Sequence, residues 1–255
     1  MRAIIYNSGS GLRMGESTIN CHKSMIQLAN GESIFERQLR ILSACCIRDI
    51  IVTVGPFKEQ LLEVTARTDF KDISFVFVEN AKYVETNYIY SMYLAKDYLN
   101  SDCISLHGDL VFNEELLRSV IDSDIKSLGL INRKKQLPEK DFKGRIKDGK
   151  IQEVSVNIFG ENCYALQPLY KLSEADMKKW LDKVTEYIEA GNVKTYAENA
   201  LNEILPSINM IEFSYEEHYI EEIDNQDDLA RVSREIDEYD SAFYRGLKNE
   251  AATIF

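Results

Sequence analysis

MRAIIYNSGSGLR, residues 1–13, is the stretch whose reading decides the fold. Residues 3–6 form a short apolar run that reads as a strand, and it breaks into a loop holding two glycines. Gly9 and Gly11 lack a Cβ, so the chain can turn sharply there and bring bare backbone N–H groups against phosphate oxygens. Arg13, and Lys23 ten residues later, add the positive charge that a triphosphate needs. A strand followed by two glycines also makes an ordinary tight turn with an exposed Arg, and the cations tilt the balance toward phosphate. The spacing excludes other Gly-rich phosphate loops. No P-loop pattern occurs, and Met14 stands where a dinucleotide fingerprint would place its third glycine. The acidic residue expected about 20 residues on is replaced by a helical pattern over residues 34–42.

Working outward, 255 residues suffice for one large α/β domain with a sizeable core. The net charge of −12 argues against a general nucleic-acid or anionic-membrane surface. No apolar run approaches the ~20 residues of a membrane span. Asn7, Ser8 and Ser10 cut the N-terminal apolar stretch too short for a signal peptide. Five cysteines without CxxC spacing read as reduced, mostly buried thiols of a cytoplasmic protein. Three histidines and no clustered Cys/His argue against zinc. Residues 212–240 hold twelve carboxylates against Arg231 and Arg234, which reads as a solvated helix face and its flanks. Asp224 stands apart because it ends an alternating strand.

Strand and helix alternate. Strands are expected at residues 2–6, 49–54, 73–78, 102–107 and 127–132, and helices at 32–45, 57–67, 87–99 and 113–122. The alternation implies a mostly parallel sheet with helices on both faces. Ligands of such sheets bind outside the strands' carboxyl ends, which puts the residues 9–13 loop and Asp109 on one edge. Residues 142–154 read as a hairpin around Asp148-Gly149. Helices are expected at 173–191, 196–205 and 225–246, and strands near 209–213 and 219–223 return to the sheet. The economical organisation is one domain, 1–255, with a small acceptor-side lobe at 133–206.

Here the pattern resembles a known family. The loop, the Lys and SIFERQLRIL (residues 33–42) look like the nucleotidyltransferases that join an NTP to a small phosphate ester. DIIVTVG (49–55), Asn80, Tyr83, TNYIYSM (86–92), LHGD (106–109) and IEEID (220–224) continue the likeness in the right order. The match covers roughly residues 1–125 and 215–236 and is strongest to bacterial CTP:phosphocholine cytidylyltransferases and their phosphonate-using relatives. Two departures stand out: His22-Lys23 replaces Pro-Lys, and Asn7-Ser8 replaces Ala-Ala. The resemblance implies a Rossmann-like nucleotidyltransferase fold, α/β, with a mixed sheet.

In nucleotidyl transfer the acceptor's phosphate oxygen attacks the α-phosphorus and pyrophosphate leaves. Both reactants are anionic, so the tasks are to align them and to neutralise developing charge. No protein nucleophile and no strong base is required. On the resemblance, Ser8, Gly9, Ser10, Gly11 and Gly108 cradle the nucleotide, and Asn87 and Ser91 lie near cytosine and ribose. Arg13 takes the β/γ-phosphates, Lys23 the α-phosphate, and Asp109 and Asp224 hold Mg²⁺. Each has a plainer alternative. Arg13 and Lys23 could be surface cations, Asp109 a turn former, Asp224 a helix leader and Asn87 an N-cap. Tyr196 and Glu198 are the acceptor-binding candidates, since a cationic head group suits an aromatic wall and a carboxylate. Tyr88, Tyr90, Tyr93 and Tyr164 are further possible walls of the acceptor pocket, though tyrosines at helical spacing are more often core, and His22 and His107 read as local structural side chains. The expected partners are CTP and a small phosphate or phosphonate: phosphocholine, 2-aminoethylphosphonate or hydroxyethylphosphonate. The rivals are a sugar-1-phosphate nucleotidyltransferase using UTP or dTTP, and a nucleotide-binding regulatory domain without catalysis.

Overall fold

The computed structural model describes residues 1–253, apart from the side chains of residues 12, 13, 16 and 242–253. The opening run forms β1 (Arg2–Asn7), buried along its length past Arg2. A loop with a 3-10 turn at Lys23–Met25 leads to α1 (Ile34–Ala44). Ser33 and Glu36 close a capping box at its start, so two otherwise orphaned N–H groups are satisfied. There follow β2 (Asp49–Val54), α2 (Lys58–Thr65), β3 (Ser74–Glu79), α3 (Tyr88–Leu94), β4 (Cys103–His107), β5 (Leu110–Phe112), α4 (Glu114–Asp122) and β6 (Leu128–Asn132). The chain continues through β7 (Lys143–Lys147), β8 (Lys150–Ser155), β9 (Cys163–Leu172), α5 (Glu174–Glu189), α6 (Ala197–Ile204), β10 (Ile211–Ser214), β11 (Ile220–Glu222) and α7 (Gln226–Thr253). The helix expected over 87–99 is α3 followed by a separate 3-10 turn at Lys96–Tyr98.

The main sheet runs β3-β2-β1-β4-β9-β6-β10-β8-β7. Of its nine strands, only β8 and β9 run against the rest. A second pairing of β7 with β9 closes strands β9-β6-β10-β8-β7 into a ring. Alternation along β1 sends Ala3 and Ile5 to one face, against Phe35, Leu39 and Leu116. Ile4 and Tyr6 go to the other, against Ile89, Met92 and Trp180.

β9 is absent from the sequence reading because Pro168, Gln167 and Lys171 interrupt its apolar run. The register slips between Gly129 and Leu130 opposite this stretch, so Pro168 sits in a bulge, where no ladder N–H is needed. Lys171 donates to the carbonyls of Val120, Ile121 and Ser123 at the end of α4. The hairpin turn is as expected: Asp148 and Gly149 both have positive φ, 51° and 75°. The strand expected at 219–223 does not return to the main sheet. It is β11, which pairs antiparallel with β5 in a separate two-stranded ribbon. Of the five cysteines only Cys103 and Cys163 are buried, and all five are free.

β2 and β4 flank β1, and the chain leaves β1 toward one side and re-enters on the other. The crevice at this switch point is where α/β sheets bind ligands. Backbones meet closely there. Gly108 N donates to Tyr6 O at 3.1 Å, and a Cβ on Gly108 would lie 1.7 Å from Asn7 Oδ1.

The crevice is braced from below by Arg37. It is 1% exposed, donates to both Asp240 oxygens at 2.7 and 2.9 Å, and to Phe112 O at 2.9 Å. These bonds tie α1 to β5 and α7. Arg37→Met strips the partner carboxylate and carbonyl of their donor, and should cost about 2–4 kcal/mol in urea unfolding. A loss under about 0.5 kcal/mol, the scale of ordinary surface changes, would mean that the brace contributes nothing.

Candidate active site

The loop after β1 is held from three sides. Asn7 N donates to Thr53 Oγ1 on β2. Ser8 Oγ lies 2.6 Å from Ser91 Oγ, which also accepts from Asn80 Nδ2 at 3.0 Å. Gly11 has φ +64°, and a Cβ there would stand 3.0 Å from Lys23 Cβ. Both features call for glycine. Thr18 Oγ1 donates to Gly11 O at 2.9 Å and fixes the turn. Gly9, Ser10 and Gly11 line a cavity of about 320 Å³ together with Lys23, Gly108 and Asp109. The Arg13 side chain lies outside the described residues.

Three residues far apart in the chain converge at this cavity. Lys23 Nζ donates to Asp109 Oδ2 and to Asp224 Oδ1, both at 2.7 Å. Asp109 is carried by the end of β4 and Asp224 by the end of the β5–β11 ribbon. Burial pushes the Lys23 ammonium down, but the two carboxylates outweigh it and hold its pKa above the ordinary value. Burial likewise opposes ionisation of Asp109, yet Lys23 and His107 hold its pKa below the usual range. Glu222 is pushed up to about 7 by burial, against the pull of His107 3.7 Å away. Burial lowers His107, and Glu222 and Asp109 more than restore it.

The donor set fits a divalent cation. Carboxylates outnumber cations here: Asp109, Asp141, Glu222 and Asp224 face Lys23, His107 and the exposed Lys140. Ligand atoms of Asp141, Glu222 and Asp224 lie within 4.8 Å of one another, as do those of His107, Asp109 and Glu222. Among the described residues, Asp109 Oδ1 is buried with no hydrogen-bond partner. Hard carboxylate oxygens in excess, one of them unsatisfied, suit a Mg²⁺-like ion.

A second cavity of about 350 Å³ adjoins the first through Tyr6, Gly9, Ser10 and Asp109. Its walls include Asn87, Tyr88, His107, Asp141, Phe142 and Tyr196. Tyr196, 40% exposed, stands in this wall and packs edge-on against Phe142 at 5.1 Å. Asn87 lines the same cavity while capping α3, its Oδ1 accepting from Tyr88 N.

Two expected site residues are placed differently. Glu198 is fully buried, its carboxylate accepting from the hydroxyls of Tyr88 and Tyr170. Burial raises its pKa, and the carboxylate braces the cavity wall from behind rather than facing a ligand. Ser91 is also fully buried and supports Ser8 from behind the loop. Conversely, Asp141, Phe142 and Glu222 belong to the cleft without having been singled out in the sequence. Glu222 had a usable signal: it lies two residues before Asp224, and period-two alternation sends both to one side. Asp141 and Phe142 sit in a polar turn with no such pattern.

Fold and site together define a nucleotidyltransferase. Residues 3–128 match the MobA-like NTP transferase domain. Over nearly its whole length it is similar to the choline-phosphate cytidylyltransferase of Haemophilus influenzae. The two are 26% identical over 242 residues, 92% of this chain and 97% of the relative. It is 29% identical over 231 residues to the 2-aminoethylphosphonate cytidylyltransferase of Lancefieldella rimae, covering 89% of this chain and 90% of that one. The solved CTP:phosphocholine cytidylyltransferase of Streptococcus pneumoniae shares the fold with a TM-score of 0.74. It is 22% identical, and the match covers 92% of this chain and 98% of that one.

A divalent cation at this cluster would compete with the ammonium of Lys23 for the same carboxylates. Without nucleotide, Lys23→Met should therefore bind Mn²⁺ roughly tenfold or more tightly than wild type, read by electron paramagnetic resonance. Lys140→Met, which removes a cation from the same cleft without those contacts, should gain far less. Equal gains for both variants would reduce the effect to net charge.

Proposed function

We propose that this chain transfers CMP from CTP to a small phosphate or phosphonate, with Mg²⁺, and releases pyrophosphate. The observation that carries the reading is the convergence of Lys23, Asp109 and Asp224 beside the residues 9–11 loop. A mobile surface lysine would not be buried between two aspartates. The loop offers backbone N–H groups to the triphosphate, and Arg13 serves its β/γ end. Lys23 is the fixed cation at the α-phosphate, where charge builds during transfer. Asp109 and Asp224 would hold the metal, with Glu222 beside them; the ion would neutralise phosphate oxygens. Asn87 offers a neutral amide to the base or ribose. The relatives named above support CTP as the nucleotide.

Residues 133–206 then act as an acceptor-side lobe within one domain. The acceptor occupies the second cavity, between Tyr88, Phe142 and Tyr196, with Asp141 at its edge. Burial and nearby Asp224 raise the Asp141 pKa, so a positive head group would be a welcome neighbour. An aromatic wall with a carboxylate favours phosphocholine or 2-aminoethylphosphonate over neutral-headed acceptors. We place the reaction in the cytoplasm, in keeping with five free cysteines.

A pyrophosphate-release screen of four NTPs against a panel of phosphates and phosphonates tests the reading. CTP with a cationic-headed acceptor should give the highest kcat/KM, and EDTA should abolish it. Asp109→Ala and Asp224→Ala should each lose about 10²–10³ in kcat, far more than the partial loss of thermal stability that the unpaired charge brings. UTP or dTTP with a sugar 1-phosphate winning the screen would install the rival enzyme class. No turnover with any pair would favour a regulatory nucleotide-binding domain.

Tyr196→Ala should weaken use of the cationic acceptor by roughly two- to thirtyfold, the range of a cation–π contact worth about 0.5–2 kcal/mol. Calorimetry should find CTP binding unchanged. If a neutral-headed acceptor wins and Tyr196→Ala acts no differently from a surface control, the aromatic wall does not select the head group.

A further inference from the structure

His22 precedes Lys23 and is 3% exposed. Its ring is bonded at both nitrogens. Nε2 lies 2.7 Å from the carbonyl oxygen of Asn7, the last residue of β1. A carbonyl only accepts, so Nε2 carries the proton. Nδ1 lies 3.2 Å from Ser24 N and 2.8 Å from Ser24 Oγ. A backbone N–H only donates, so Nδ1 is bare. The two contacts define one neutral tautomer. Burial, the largest influence, pushes this imidazole down to about 4, which keeps it neutral in ordinary buffers. A third bond runs from His22 N to Gln60 Oε1 at 2.8 Å.

The Asn7 carbonyl is a junction. The nucleotide loop begins one residue later, and Asn7 Oδ1 abuts Gly108, the neighbour of Asp109. We propose that His22 is a positioning residue whose Nε2–H tether to Asn7 holds the Lys23 turn in register with the loop and with Asp109. The inference rests on the reading of Lys23 as the cation of phosphoryl attack. The geometry explains why a side chain is used. With φ −64° and ψ 140°, position 22 would also admit proline, which would set the backbone of the turn. Proline offers no nitrogen to Asn7 and no N–H to Gln60, so it would leave the turn shaped but untied.

Two half-isosteres separate tether from cap. In His22→Gln the amide N–H can reach Asn7 O, where Nε2–H was. In His22→Asn the amide oxygen can accept from Ser24 N, as Nδ1 did, but the link to β1 is lost. We expect His22→Gln to stay within about threefold of wild-type kcat. His22→Asn and His22→Pro should fall roughly 10–100-fold with KM for CTP little changed, the loss expected when a reacting group is misplaced by about an ångström. Melting temperatures of the Gln and Asn variants should agree within a few degrees. Hydrogen exchange over residues 20–27, measured without any ligand, should quicken in His22→Asn and not in His22→Gln. Equal exchange and equal kcat for the two would make the ring mere filling. A damaged Gln variant beside an intact Asn variant would make it only a cap for its own turn. Either result overturns the proposal, as does a fully active Pro variant. If wild type turns over no NTP at all, the functional reading fails, and the exchange contrast still decides the tether.

Discussion

One ammonium between two carboxylates organises this molecule. Lys23 meets Asp109 and Asp224 across 86 and 201 positions of sequence. All three charges are largely withdrawn from water, and each is tolerable only because the others are there. Removing one partner from such a cluster typically leaves about 3–5 kcal/mol of uncompensated charge. The surrounding fold meets a tight steric condition to bring them together. Gly11 must lack a Cβ for Lys23 to pass, and Gly108 must lack one for Asn7 to pass. Both glycines lie at the switch point between β1 and β4, so strand order and charge placement are one constraint seen at two scales. The carboxylates still exceed the cations nearby, and that surplus prepares the cleft for a further positive charge.

Much of this was readable in the chain, and the reasons differ by element. The β1 loop announced itself because glycines, cations and an apolar run occur in one short window. The helices followed from local caps, such as Ser33 with Glu36. The switch-point edge followed from alternation alone. β9 was hidden because its proline sits in a bulge, a tertiary accommodation with no local signature. The ribbon was hidden because β5, three residues long, carries too few alternations to register, so β11, expected as a strand, was assigned to the main sheet instead. Glu198 illustrates a different limit. A carboxylate next to an aromatic looks like a ligand contact in sequence, yet the helical turn between Tyr196 and Glu198 sends one outward and the other into the core. Spacing told which residues share a segment, not which of them face solvent.

Burying Glu198 stiffens the wall of the second cavity. Its carboxylate gathers Tyr88 from α3 and Tyr170 from β9. Tyr88 in turn packs on Tyr6 and His107 at 5.0 and 4.7 Å. The two adjoining cavities of the cleft thus share one set of buried rings. A disturbance at the start of α6 would reach the end of β1 through contacts already in place.

The small ribbon has a wider meaning. Asp109 immediately precedes β5 and Asp224 follows β11 by one residue. The strands run antiparallel, and Ile223 N donates to Asp109 O at 3.1 Å. The two aspartates are therefore yoked at one end of a clasp, while the chain leaves at Phe112 and returns at Ile220. Everything between, including the ring of strands, Phe142 and Tyr196, is a loop hung from that clasp. The part of the chain between the two strands can be lengthened, trimmed or resurfaced while the clasp keeps the two carboxylates at one spacing.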